Sequence, residues 1–215
     1  MGLLVKDLHV MIQSVEILRQ VTLDVPTNAM VGLIGRNGAG KTTLIRSVMG
    51  RLRISSGSIE FDDIDLVSLP SHRRSHFGIG YLPEDRRLVP QLTATDNVLL
   101  PSWIKRHGDD TDRLNWIYKL LPEVKELGQR RAIQLSGGQQ KLVALARALM
   151  AGRSLLLLDE PFEGVAPVLA RRLAEVLAEL KKEGITILLS ESDDTHSSNL
   201  VDDSYVIERG QIRLN

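Results

Sequence analysis

The stretch Gly35-Arg36-Asn37-Gly38-Ala39-Gly40-Lys41-Thr42 decides the fold, because it has the residue spacing of a nucleotide-binding P-loop. Glycines in such a loop let successive backbone N–H groups turn inward on phosphate oxygens. The lysine adds positive charge, and the threonine hydroxyl is a ligand for Mg²⁺. The stretch therefore predicts a phosphate site at residues 35–42, to which the next residue, Thr43, also belongs.

The residues on either side of this loop supply the context that a P-loop needs. Met30-Val31-Gly32-Leu33-Ile34 is a nearly continuous apolar run, typical of a strand covered on both faces. Residues 42–49 are helix formers, and a helix starting there adds the partial positive charge of its N-terminus. This order favours a P-loop over the alternative, an ordinary connection between a strand and a helix.

The rest of the chain predicts a single α/β domain over residues 1–215 with a P-loop NTPase core. Residues 3–10 and 15–25 alternate between apolar and polar types, as half-buried antiparallel strands do. Apolar runs at 155–158 and 185–189 flank a helical pattern at about 167–182. Alternating strands and helices predict a mainly parallel sheet with helices on both faces.

Residues 93–127 have helical character, with apolar stripes interrupted at Pro101, Gly108 and Pro122. We interpret this stretch as an insertion into the core. The predicted organisation is a nucleotide-binding core with an N-terminal antiparallel β subdomain at 1–92 and 136–215, and an inserted helical subdomain at 93–135.

Composition limits the partners that the chain can contact directly. Lys+Arg and Asp+Glu both number 27, so no net positive field attracts nucleic acid. We interpret the arginine pairs at 73/74, 86/87, 130/131 and 171/172 as solvated. The absence of cysteine excludes disulfides and thiolate metal sites. The start of the chain does not resemble a signal peptide, and no uncharged apolar run reaches about 18 residues. Any membrane role is therefore expected to come through a partner.

Two acids, Asp159 and Glu160, follow the apolar run at 155–158. A buried core rarely tolerates adjacent acids, so we expect them to emerge at the carboxyl end of the strand, where α/β folds place ligands. In phosphoryl transfer one acid can hold Mg²⁺ while the other polarises the attacking water. We assign the metal to Asp159 and the water to Glu160. The alternative is that both acids cap the following helix.

A second glycine-rich segment, Leu135-Ser136-Gly137-Gly138-Gln139, precedes another long helical pattern. Ser136 is suited to be the N-cap, and the glycine N–H groups then form an anion site. The alternative is a plain helix start with a capping box between Ser136 and Gln139. Glycines at the first helical positions lower helix propensity, which favours a backbone that approaches a ligand.

Over essentially its whole length the chain resembles the ATP-binding subunits of ATP-binding cassette (ABC) importers, most closely the group for branched-chain amino acids or amides. Besides the two glycine-rich motifs, the resemblance rests on Gly80-Tyr81-Leu82-Pro83-Glu84-Asp85-Arg86-Arg87, Asp159-Glu160-Pro161 and Glu163-Gly164-Val165-Ala166-Pro167. In that family two cassettes associate head to tail. Each ATP then lies between the P-loop of one subunit and the segment matching 135–139 of the other.

The resemblance implies ATP and Mg²⁺ as cofactors, and a cytoplasmic subunit held at the inner face of the cell membrane by its partners. Those partners are a second ATP-binding subunit, transmembrane permease subunits and, indirectly, a solute-binding protein, with no nucleic acid. The implied activity is ATP hydrolysis that powers import of branched-chain amino acids or related amides or urea. The implied catalytic residues are Glu160, Lys41 and Ser192. The implied nucleotide-binding residues are Ile12, the P-loop residues 35–43, and four residues of the second glycine-rich segment: Ser136, Gly137, Gly138 and Gln139.

Three positions differ from the usual family pattern. Glu84 replaces the usual glutamine, as in the branched-chain group, so we assign it to the metal shell with Thr42 and Asp159. Ile12 stands where an aromatic residue stacks on adenine, and its lack of a π-face predicts loose base selectivity. Ser192 replaces a histidine that contacts the γ-phosphate, and we interpret the nearby His196 as a solvated helical residue.

Apolar residues in the stretch 84–98, namely Leu88, Val89 and Leu92, are a candidate dock for the permease. Two other functions stay open. The Ser192 and Ile12 differences motivate a nucleotide switch that hydrolyses ATP poorly. A soluble ABC ATPase outside transport would need a second cassette or a nucleic-acid surface, neither of which the sequence shows.

Overall fold

A computed structural model describes residues 2–104 and 110–214 of the chain. Its strands are β1 (Gly2–Ile12), β2 (Val15–Pro26), β3 (Met30–Ile34), β4 (Ser56–Phe61), β5 (Ile64–Asp65), β6 (Ile79–Leu82), β7 (Leu155–Asp159), β8 (Thr186–Glu191), β9 (Asp203–Glu208) and β10 (Gln211–Leu214). Its α-helices are α1 (Lys41–Val48), α2 (Ser71–Arg74), α3 (Ala94–Ile104), α4 (Thr111–Leu120), α5 (Pro122–Glu126), α6 (Gly137–Ala151) and α7 (Pro167–Lys182). Short 3₁₀ turns occur at Ser75–Phe77 and Ala132–Gln134.

The strands form two sheets. The larger has the order β10-β9-β3-β8-β7-β6, and its neighbours pair in parallel except for β10 with β9. The smaller has the order β2-β1-β4-β5 and is antiparallel throughout. The predicted α/β class, with a mainly parallel sheet and an N-terminal antiparallel sheet, is therefore confirmed.

The larger sheet is covered on both faces, which is why its central strands are mostly apolar and carry their polar residues at the ends. In β7, Leu156 and Leu158 belong to a core shared with α6 and α7. The alternate residues Leu155 and Leu157 belong to a second core, shared with α1 and the antiparallel sheet. The carboxyl ends of β3, β7 and β8 are thereby held side by side, and the candidate site lies at these ends.

Helices α3, α4 and α5 lie in the chain between β6 and α6 and pack against α6. The helix break predicted at Pro101 is wrong, because α3 runs through it with the loss of one backbone donor. Pro122 does begin a new helix, at the first turn of α5. Gly108 lies outside the described residues. The limits proposed for a helical subdomain, 93–135, stay a prediction.

The solvated role expected for the arginine pairs is wrong for Arg74, which is buried. Its guanidinium donates hydrogen bonds to the carbonyls of Ser47 and Val48, at the last turn of α1, and to that of Leu69. Helix C-termini leave carbonyls without partners inside the helix, and a guanidinium with five donors can satisfy several of them at once.

Across residues 2–104 and 110–214 no helix combines the length and the apolar character needed to cross a bilayer.

Substitution of Gly80 in β6 tests the packing of α6 against the larger sheet, because Gly80 lies directly against this helix. A methyl group added there would lie 2.2 Å from the Ala148 carbonyl oxygen and 2.8 Å from Gly152 Cα. We expect Gly80→Ala to lower the free energy of unfolding by about 2 kcal/mol or more, measured by urea denaturation. Gly32→Ala in β3 is the control, since its added methyl meets only ordinary contacts at 3.4 Å or more. Equal stability of the two variants would contradict this packing.

Candidate functional site

The P-loop connects the end of β3 to the start of α1. Its residues Gly38 and Gly40 have φ angles of 82° and 118°, which side-chain-bearing residues adopt only with strain. A Cβ on Gly40 would also lie 2.9 Å from Leu18 Cδ2. The loop can therefore bend back over the start of α1 only with glycine at these positions.

Lys41, the first residue of α1, is buried and its ammonium lies within the loop. Lys41 Nζ donates to the carbonyls of Gly35 and Arg36, the latter at 3.3 Å. It also lies 2.9 Å from Glu160 Oε1. The P-loop cation and the acid predicted to activate water are thus in direct contact.

Asp159 and Glu160 lie at the carboxyl end of β7, as expected, but both are buried. Asp159 Oδ1 accepts hydrogen bonds from Thr42 Oγ1 at 3.1 Å and Ser190 Oγ at 2.9 Å, and its Oδ2 contacts Tyr81 OH at 3.4 Å. Burial raises the pKa of Asp159, while the bonds from Ser190 and Thr42 oppose the rise. Adjacent acids are tolerated here because each carboxylate has polar partners.

Glu160 has a left-handed backbone, with φ of 50°. Such a conformation is uncommon for a residue other than glycine and persists only where surrounding contacts impose it. Its N–H donates to the Ser190 carbonyl at 3.1 Å, and this conformation follows directly on the end of β7. The side chain consequently turns towards Lys41 rather than continuing the alternation of the strand.

Ser192 is close enough to take part in the same cluster. Its Oγ lies 3.1 Å from Glu160 Oε1 and 3.0 Å from Asn37 Oδ1. One hydroxyl proton can serve only one of these oxygens at a time, so Ser192 donates either to Glu160 or to the amide oxygen of Asn37. His196 lies in a turn and not in the helix we expected, and its ring is 5.1 Å from that of Phe162.

A cleft of about 460 Å³ is lined by Lys41 and Glu160 together with other predicted ligands, whereas Ser192 lines a neighbouring cleft that shares Glu160. The lining of the first cleft includes two predicted ligands outside the loop, Ile12 and Glu84, and two residues that the prediction of the site omitted, Ile17 and Glu163. The loop residues in the lining are Asn37, Gly38, Gly40, Lys41, Thr42 and Thr43. Ile17 lies on β2 and Ile12 on β1, and these two strands pair in one hairpin, with Ile12 opposite Val15.

The second glycine-rich segment is not part of this lining, as far as the described residues show. Ser136 is the N-cap of α6 and forms the capping box with Gln139, with contacts of 3.3 and 2.9 Å. A Cβ on Gly138 would lie 2.8 Å from Leu169 Cδ2 of α7. The capping box of the plain helix start is therefore present, and Gly138 lies against the side chain of Leu169.

Glu191, the last residue of β8, is a buried carboxyl whose Oε2 has no hydrogen-bond partner. Burial, reinforced by the negative charges of Asp193, Glu160 and Asp194, raises its pKa to about 7. A carboxyl in this position is expected to take up a proton near neutral pH.

Fold and site together define a P-loop nucleotide-binding domain with two acids at the phosphate loop. The ABC transporter family model matches residues 18–163. The high-affinity branched-chain amino acid transport ATP-binding protein BraG of Pseudomonas aeruginosa is 36% identical over 93% of this chain and 85% of its own length. The probable branched-chain amino acid transport ATP-binding protein LivF of Archaeoglobus fulgidus is 30% identical over 98% and 86%. The lipopolysaccharide export system ATP-binding protein LptB of Escherichia coli is 32% identical over 91% and 82%.

Solved structures with a similar fold are also ATP-binding parts of ABC transporters. A crystal structure of the ADP conformation of an ATP-binding cassette of an ABC transporter has a TM-score of 0.84 at 29% identity, covering 99% of this chain and 89% of that one. An ATP-binding subunit of an ABC transporter has a TM-score of 0.87 at 27% identity, covering 99% and 88%. The chain therefore belongs to the ABC transporter family, and it is the ATPase subunit of a transporter.

The buried Glu191 predicts a particular dependence of stability on pH. Its native pKa of about 7 exceeds the value near 4.3 expected for the unfolded chain. Between these values the native state binds more protons, so the free energy of unfolding falls as pH rises through this window. Glutamine stays neutral at every pH, as the protonated Glu191 does. We therefore expect the free energy of unfolding of Glu191→Gln to be about 1–3 kcal/mol higher than that of the wild type at pH 8, and the difference to vanish near pH 4. Urea denaturation at several pH values measures this, and parallel curves for the two proteins would contradict it.

Proposed function

We propose that this subunit hydrolyses ATP to power import of branched-chain amino acids or related amides or urea. The observation that carries the hydrolysis is the contact of Lys41 with Glu160 in the P-loop cleft, beside the hydrogen bond of Thr42 to the buried Asp159. The solute class is supported by the similarity to BraG and LivF. The competing assignment is lipopolysaccharide export, because LptB is 32% identical to this chain.

The residues around Asp159 suit Mg²⁺. The Thr42 hydroxyl and the Asp159 carboxylate are hard oxygen ligands 3.1 Å apart, and Glu84 lines the same cleft. We assign the ion to Thr42 and Asp159, with Glu84 holding it directly or through water. When bound, Mg²⁺ neutralises charge on the phosphate oxygens.

Lys41 and Glu160 would separate when nucleotide binds. Phosphate oxygens attract the Lys41 ammonium away from the Glu160 carboxylate, because they carry more negative charge and the loop N–H groups hold them. Glu160 is then available to accept a proton from the attacking water. Ser192, which contacts Glu160 Oε1, would orient the carboxylate for this step. We therefore assign catalysis to Lys41, Glu160 and Ser192.

The second glycine-rich segment would bind the ATP of a second ATP-binding subunit. The P-loop and this segment are thus two half-sites, each of which forms part of a different ATP site. The segment Ser136–Gln139 begins α6 and does not line the described P-loop cleft. The N–H groups of Ser136 and Gln139 are bonded within the capping box, so those of Gly137 and Gly138 are the donors proposed for a nucleotide held by another cassette. We propose a pair of cassettes, identical or related, that holds two ATP molecules between them. Permease subunits would then bind the pair at the inner face of the cell membrane, with a solute-binding protein acting on the permease and no nucleic acid involved.

Glu160→Gln tests the catalytic assignment. The amide keeps the shape of the side chain but cannot accept the proton of water, so we expect ATP turnover to fall by about 100-fold or more while ATP affinity is retained. Phosphate release and equilibrium binding of a fluorescent ATP analogue measure the two quantities. Turnover that is near zero in the wild type and unchanged in the variant would favour the nucleotide switch that hydrolyses poorly.

The permease is expected to bind beside Leu88 and Val89, which precede α3. Leu88 is partly buried and Val89 is 37% exposed, so apolar surface is available next to the cleft residue Glu84. We expect Leu88→Asp or Val89→Asp to abolish solute uptake by the assembled transporter while ATPase activity stays within about twofold, since neither residue lines the nucleotide cleft.

Uptake of labelled leucine into vesicles containing the complete transporter measures this coupling. Val67→Asp is the matched control, because Val67 is a similarly exposed valine, at 41%, in the turn after β5. Uptake that survives both substitutions at 88 and 89 would place the dock elsewhere. Absence of leucine uptake in the wild type, with intact ATPase activity, would contradict the proposed solute and leave the ATPase assignment standing.

A further inference from the structure

Lys141 is a buried cation to which the proposed mechanism gives no role. It lies in the second turn of α6, five residues after the N-cap Ser136, and it is 2% exposed. On this helix it follows two glycines and two glutamines and precedes buried apolar residues, among them Leu142, Val143 and Leu145. An ammonium in such surroundings costs several kcal/mol of desolvation unless it is well paired. Burial lowers the pKa of Lys141 to about 8, which reflects this cost.

The partner of Lys141 is the backbone of the catalytic acid. Lys141 Nζ donates to the Glu160 carbonyl at 2.8 Å, and both groups are buried. The same carbonyl also accepts from the N–H of Glu163, at 3.2 Å, in the turn that follows β7. Lys141 is therefore not needed to satisfy this oxygen, and its contribution is to hold the turn against α6.

The turn that Lys141 holds, directly after β7, contains a residue with an unusual backbone conformation. Glu160 has φ of 50°, and this conformation directs its carboxylate to Lys41 and Ser192. A residue in this region needs surrounding contacts to keep it there. The charge-assisted bond from Lys141 is such a contact, and it comes from the helix that Ser136 and Gly137 begin.

We propose that Lys141 is a positioning residue that ties the Glu160 backbone to the start of α6. A rigid helix spans about 8 Å between Ser136 and Lys141. Displacement of the glycine-rich segment by a nucleotide on the second subunit would therefore shift the carbonyl of Glu160 as well. The two half-sites of one chain would move together, so that Glu160 is aligned only when both are occupied. This inference rests on the proposed function, because it requires Glu160 to act in hydrolysis.

Lys141→Met tests the proposal, because it keeps an unbranched chain and removes the ammonium. We expect kcat for ATP to fall by about 10- to 100-fold, since small misplacements of a catalytic group cost this much, while KM for ATP changes by less than about twofold. The melting temperature is expected to stay level or rise, because an apolar side chain replaces a buried charge. A role confined to stability would give the opposite pattern, with a lowered melting temperature and an unchanged kcat.

Lys181→Met is the matched control. Lys181 also donates to a backbone carbonyl, that of Leu200 at 2.9 Å, but at the end of α7 and outside the nucleotide cleft. Unlike Lys141 it is partly exposed, and it also forms an ion pair with Asp202 at 2.5 Å. We expect its kcat to stay within about twofold of the wild type. Lys141→Gln is the second variant if Lys141→Met does not fold, since its amide ends one bond short of the carbonyl and should also lower kcat.

Two results would overturn the inference. One is a kcat for Lys141→Met, or for Lys141→Gln if that variant is used, within about twofold of the wild type. The other is an equal loss in Lys181→Met. The proposed function is tested separately by Glu160→Gln in the same assay. If Glu160→Gln is inactive and the Lys141 variant is not, only this inference fails, whereas unchanged turnover in Glu160→Gln contradicts the function itself.

Discussion

The contact between Lys41 and Glu160 is the interaction on which the rest of the site depends. Both side chains are almost fully buried, and an unpaired charge in either position would be strongly unfavourable. The pairing is possible only because the P-loop brings the start of α1 to the end of β7 and because Glu160 adopts a left-handed backbone. The phosphate loop and Glu160, the acid that we propose to be catalytic, are therefore arranged as one unit although Lys41 and Glu160 are 119 residues apart in sequence.

The two glycine-rich motifs carried most of the information that made the fold predictable. The apolar run before residue 35 and the helix formers after residue 41 indicated a buried strand and a helix, which β3 and α1 confirm. The strand ending at Asp159 was equally clear from its four leucines. These signals were readable because a fully covered parallel strand leaves no room for polar residues before its end.

Other features depended on contacts between distant residues, and sequence patterns do not contain them. Burial of Asp159 is tolerated because hydroxyl groups from three other elements surround it, and Arg74 is buried because the end of α1 needs donors. The passage of α3 through Pro101 similarly reflects packing against α6, which outweighs local propensity. Lys141 was invisible for the same reason, since its partner is a backbone carbonyl 19 residues away.

The hydroxyl groups around Asp159 also matter for the subunit when no nucleotide or metal is bound. Thr42, Ser190 and Tyr81 solvate this carboxylate in place of water. A buried acid that already has such partners does not require a cation in order to be tolerated in the core. The carboxylate can therefore keep its position before any cation reaches it, so the geometry of this end of the sheet does not depend on a bound metal ion.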